Sequence, residues 1–75
     1  MLYAVIHDNR LLSLHRTRDD AKDAALQAAT EGMRYVDFAY FYEPDHERWE
    51  VLHRADRRRR WTRSGYYIAT TNLAE

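Results

Sequence analysis

The thirteen residues from Thr17 to Ala29, TRDDAKDAALQAA, carry a complete set of helix signals. Thr17 is a hydroxyl N-cap, and Asp20 stands three residues on, the carboxylate version of a capping box. Asp19, Asp20 and Asp23 lie where the positive end of a helix dipole favours negative charge. Ala21, Ala24, Ala25 and Ala28 repeat at helical spacing, flanked by Leu26, Ala29 and Met33. Gly32 follows where a left-handed C-cap is wanted. The pattern predicts a helix over residues 18–31. A face made mostly of alanine brings the helix axis close to whatever it covers, so the bulk of the core has to come from elsewhere.

The flanking segments can supply that bulk as a sheet. Upstream, LYAVIH and RLLSLHR read as two strands joined at Asp8-Asn9, both of which tolerate positive φ in a two-residue turn. Regular pairing across that turn puts Tyr3, Val5, Leu12 and Leu14 on one face, and Ile6, Leu11 and Ser13 on the other. Downstream, RYVDFAYFYE alternates, with Val36, Phe38, Tyr40 and Tyr42 against Tyr35, Asp37, Ala39 and Phe41. PDHE is a turn, and RWEVLHR alternates again, Trp49, Val51 and His53 against Glu50 and Leu52. Ala55-Asp56 reads as a hairpin turn, with the arginines after it on a returning strand up to Arg63. Ser64-Gly65 then interrupts, and YYIATT forms the last strand. The expectation is one α+β domain over residues 1–75, ordered ββαβββ, with a single antiparallel sheet of about five strands packed on one helix.

Seventy-five residues bury only about 60% of the surface of their unfolded chain, so the core is thin. With no cysteine there is neither a disulfide nor a thiolate metal site, which fits a reducing, cytoplasmic setting. MLYAVIHDNR has no basic leader and no long apolar run, and no segment approaches the roughly 20 apolar residues that span a bilayer. Neither secretion nor membrane association is expected. The formal charge of zero hides a segregation. Residues 19–50 hold nine acids against three bases, a balance of −6, whereas residues 51–64 hold six arginines against Asp56, a balance of +5.

Little in the chain points to catalysis. Ser13 and Ser64 are the only serines, His7, His15, His46 and His53 are scattered, and Gly32 and Gly65 make no phosphate loop. His7 and His15 are read as neighbours across the first hairpin, but two histidines alone do not complete a metal site. No metal, cofactor or catalytic residue is expected. A metal-independent ribonuclease built from histidine, arginine and tyrosine is the third-ranked reading.

The arginine-rich stretch RADRRRRWTRSGYY, residues 54–67, is where a binding function points. Arginine's planar fork grips phosphates and carboxylates bidentately. Four in a row repel one another, which simple solubility does not call for. Arg54, Arg57, Arg58, Arg59, Arg60 and Arg63 are the candidate grip, with Trp61, Tyr66 and Tyr67 available to stack on bases. Tyr35 and Phe41, on the strand face opposite the helix, are candidates for an aromatic docking patch. The basic hairpin also has an internal use, neutralisation by the acidic helix of another copy in a homodimer.

A short strand, the capped TRDDAKDAALQAA helix, and strands leading into the basic RWEVLHRADRRRRW hairpin together resemble small phage-encoded anti-CRISPR proteins. The resemblance covers size, element order and the aromatic–basic hairpin. It implies a non-enzymatic inhibitor, in the bacterial cytoplasm, that binds a subunit of a CRISPR–Cas surveillance complex and blocks target DNA. The alternative is a stand-alone DNA- or RNA-binding protein using the same arginines.

Overall fold

Thr17 opens the helix as its sequence predicts. In the computed structural model, which describes residues 1–31 and 37–71, its hydroxyl accepts the Asp20 backbone N–H at 3.2 Å. Helix α1 runs Arg18–Thr30 and buries Ala21, Ala25 and Ala29, the stripe that lets its backbone lie close to the sheet. Its last turn closes where the Glu31 N–H reaches the Ala28 carbonyl at 3.4 Å. Gly32, read as the C-cap, lies outside the described residues, as do Met33, Tyr35 and Val36. No helix among the described residues is long and apolar enough to cross a membrane.

Strands β1 (Leu2–His7), β2 (Arg10–His15), β3 (Asp37–Glu43), β4 (Arg48–Arg54) and β5 (Thr62–Thr71) form one antiparallel sheet in the order β2-β1-β5-β4-β3. This is the expected ββαβββ layout. Asp8 and Asn9 turn the first hairpin with φ of 49° and 64°, the left-handed pair that matches strand twist. Helix α1 packs on β1, β2 and β5. The core joins Val5, Val51 and Ile68 to the three buried alanines, with Tyr3, Phe38, Tyr40, Trp49 and Tyr66 packed around it. At the β3–β4 side, Lys22 Nζ lies 5.1 Å from the Tyr40 ring centroid and the Arg18 guanidinium 5.7 Å from that of Trp49. Cations are poorly placed for the dipole near a helix N-terminus; here their stems and charges cover aromatic rings instead.

Two bulges set the registers, and each corrects an expectation. Val5 faces Ser13 and Ile6 faces Leu11, so Leu12 is an extra residue in β2. Ser13 and His15 therefore join the Tyr3/Val5 face, while Leu14 moves to the other. Leu11, Leu12 and Leu14, on an edge strand, stay exposed at 60%, 49% and 39%. The same register sets His7 opposite Arg10 and His15 opposite Tyr3, at opposite ends of the hairpin rather than side by side.

The second bulge lies in β5, where Glu50 faces Tyr67 but Leu52 faces Arg63. Ser64-Gly65 does not end a strand, as read from sequence, but bends one. Gly65 takes φ of +87°, and Ser64 Oγ donates to the Val51 carbonyl at 2.6 Å while accepting the Tyr66 N–H at 3.1 Å. A Cβ at Gly65 would stand 3.1 Å from the His7 ring, so both the conformation and the space require glycine.

Tyr40 shows the cost of so thin a core. Its hydroxyl is buried with no hydrogen-bond partner among the described residues, and that burial, against the lowering effect of Arg18, pushes the phenol up to about 12 from the ordinary 10. A raised acid contributes stability that is present below its unfolded value and lost as pH rises. Urea unfolding of the wild type should therefore lose stability between pH 10 and 12. Tyr40→Phe should flatten that fall and be neutral to mildly stabilising at pH 7, because an unpartnered polar atom disappears. Parallel alkaline curves for the two proteins would show the hydroxyl to be in contact with water.

Candidate nucleic-acid interface

Among the described residues no second helix covers the face of the sheet turned away from α1. Its strands pair charges across neighbouring positions instead. On β4 the alternation places Arg48, Glu50, Leu52 and Arg54 there, opposite Glu43, Phe41, Ala39 and Asp37 of β3. Glu50, buried to 2% exposure, is ion-paired with Arg48 Nη2 at 2.7 Å and accepts a hydrogen bond from Arg63 Nη1 at 3.3 Å. Arg63 also reaches Glu43 at 3.3 Å, and the Arg48 guanidinium lies 4.2 Å from the Tyr67 ring centroid. An open depression of about 230 Å³ borders this cluster, lined by Asp8, Asn9, Arg48, Glu50, Arg63, Gly65 and Tyr67. Its two arginines and two acids balance, which gives no net attraction for an anion.

The tip between β4 and β5 is different. The arginines are not on the returning strand, as sequence reading has them, but in the loop 55–61. Asp56 forms the turn: its carboxylate accepts the Arg58 N–H at 2.7 Å and its carbonyl the Arg59 N–H at 3.1 Å. A loop lets four neighbouring guanidiniums splay into solvent. A strand would aim two of them at the helix side. Arg57, Arg58, Arg59 and Arg60 are all exposed, and none pairs with a carboxylate among the described residues.

Below the loop, Arg54 is held against Asp37, its Nε and Nη2 at 3.2 and 3.1 Å from Oδ2. Its guanidinium lies 4.1 Å from the centroid of Trp61, which remains 38% exposed. The hairpin closes with Thr62 Oγ1 donating to the His53 carbonyl at 3.2 Å.

The structure thus divides the sequence-derived set. Arg54, Arg57, Arg58, Arg59, Arg60 and Trp61 come together at the tip. Arg63 and Tyr67 belong to the ion-paired face, and Tyr66 lies flat on His7, 4.0 Å between centroids with the rings 8° apart. Phe41 is 40% exposed on the edge strand β3, next to Tyr42 at 46%. Tyr35, its proposed companion, lies outside the described residues. Sequence reasoning missed the Glu43, Arg48 and Glu50 cluster and Asp37 as the anchor of Arg54; the signal was the placing of Arg48, Glu50 and Arg54 on one face of one strand.

Elsewhere, Ser13 Oγ and His15 Nε2 are 2.7 Å apart, but no acid orients the ring among the described residues. No group of three or more metal-ligating side chains occurs among them either. No family model, curated protein or solved structure matches the chain.

Proposed function

We propose that this chain is a non-catalytic binding protein that docks its arginine tip on nucleic-acid phosphates and acts by covering the strand it grips. One observation carries the reading. Arg48, Arg54 and Arg63 are each matched to a carboxylate, whereas Arg57 to Arg60 stand exposed and unmatched among the described residues. Their mutual repulsion is relieved by a polyanion, and their planar forks fit phosphate oxygens.

Four or so phosphate contacts sustain only weak binding, with Kd on the order of 10⁻⁴–10⁻⁶ M for non-specific complexes. An effective inhibitor therefore needs protein contact as well. A CRISPR–Cas surveillance complex, the target implied by the sequence resemblance, offers both nucleic acid and protein surface. Phe41 and Tyr42 supply exposed aromatic area for the protein part. A stand-alone nucleic-acid-binding role uses the tip alone.

Binding to short oligonucleotides in rising KCl tests the shared claim. The logarithm of affinity should fall against the logarithm of salt with a slope of about −3 to −4, from roughly 0.7–0.9 per phosphate contact. A flat salt dependence, or no binding at low salt, sinks the reading. Tighter binding to a DNA-loaded surveillance complex than to bare DNA supports the inhibitor form, and equal binding supports the stand-alone one.

A further inference from the structure

We infer that the tip is built for single-stranded nucleic acid rather than duplex, with Trp61 as its stacking platform; this rests on the phosphate-gripping role proposed above.

All three aromatic residues near the arginines have a partner, but only Trp61 is also exposed; Tyr66 and Tyr67 are half-buried. Tyr66 is stacked on His7, and Tyr67 carries the guanidinium of Arg48. Trp61 alone combines a fixed support with open surface. Arg54 backs its ring at 4.1 Å, and Asp37 fixes Arg54 through two nitrogens from the neighbouring strand. Trp61 is thereby held in position yet remains 38% exposed, immediately after the last of four arginines unmatched among the described residues. Adjacent cations and a pre-set ring are the two parts of a sequence-tolerant single-strand site, one tracking the backbone and the other taking a base face.

Phosphate gripping alone does not distinguish duplex from single strand, and sequence-specific duplex reading needs something this tip lacks. Base edges in the major groove are read by an inserted helix or a two-stranded ribbon. The only helix described is α1, whose first turn is acidic and which carries none of the arginine run. The β4–β5 hairpin is not a free ribbon either, since β3 flanks β4 and β1 flanks β5 over Tyr66–Thr71. Only the seven-residue loop 55–61 projects. In a duplex the base faces are buried in the stack and closed to Trp61; in a single strand they are available.

The test uses the full chain and three fluorescein-labelled probes read by anisotropy: a deoxythymidine octamer, an abasic octamer with the same phosphates, and a short hairpin duplex. The thymidine octamer should bind about 5- to 150-fold more tightly than the abasic one, the factor one stacked base provides. It should also quench tryptophan emission, whereas the abasic strand should not. Trp61→Leu should remove both the preference and the quench without changing abasic affinity, and Trp61→Phe should restore part of the preference. If thymidine and abasic octamers bind alike, or the duplex binds more tightly than the octamer, single-strand selectivity is wrong while phosphate gripping stands. If none of the three probes binds at low salt, both proposals fall together.

Discussion

Arg48→Met should destabilise the fold by about 2–3 kcal/mol, although it removes a single charge from the sheet face turned away from α1. Glu50 is buried, and its shortest contact is Arg48 at 2.7 Å. Breaking a buried pair from one side typically costs about 3–5 kcal/mol, because a charge is left without its partner. Two features reduce that figure here. Arg63 still reaches Glu50 at 3.3 Å, and the Arg48 side chain is itself 25% exposed. Methionine keeps the stem against Tyr67 and so isolates the electrostatic part. In a domain this small each kcal/mol moves the melting temperature by roughly 4–8 °C, so thermal unfolding resolves the effect. Adding Glu50→Gln to Arg48→Met should recover stability, since it withdraws the stranded carboxylate. A melting temperature for Arg48→Met within a degree or two of wild type would mean that the paired charges are ordinary surface salt bridges, worth little.

That cluster also marks how far the sequence could be read. Helix α1 and the Asp8-Asn9 turn were legible because their signals are local: a cap, an alanine repeat, two residues that tolerate positive φ. Strand existence followed from alternation. Pairing across strands did not, because register depends on bulges, and a bulge has no strong local signature. Leu12 and the Ser64–Tyr66 segment each shift a partner. Those shifts decide that Ser13 faces Val5 and that Arg63 meets Leu52 and reaches Glu50. Arg63 therefore read from sequence as one more member of the basic run, although it is spatially a partner of two acids. The exposed arginines were legible as a group because nothing in their immediate sequence except Asp56 could neutralise them. Their position in a loop, not on a strand, follows from Asp56 capping the turn with its side chain and carbonyl.

The loop position changes what mutation of the arginines should do. On a strand, alternate residues would point to opposite faces, and one set would dominate binding. In the 55–61 loop all four face solvent, so their contributions should be graded and nearly additive. Replacing Arg57 and Arg58, or Arg59 and Arg60, with alanine should lower the salt slope by roughly 1.5–2 in either case. The fourfold replacement should reduce affinity for single strands by about 10²–10³-fold near 0.1 M salt, the scale set by releasing about four counterions. Stability should move by less than about 0.5 kcal/mol, because these side chains are exposed and unpaired among the described residues. Arg63→Ala is the matched control. It removes one charge a few residues away, but one already committed to Glu43 and Glu50, so it should cost melting temperature rather than affinity. The opposite pattern, full binding by the fourfold variant and lost binding by a folded Arg63→Ala protein, would move the interface from the tip to the depression beside Glu50.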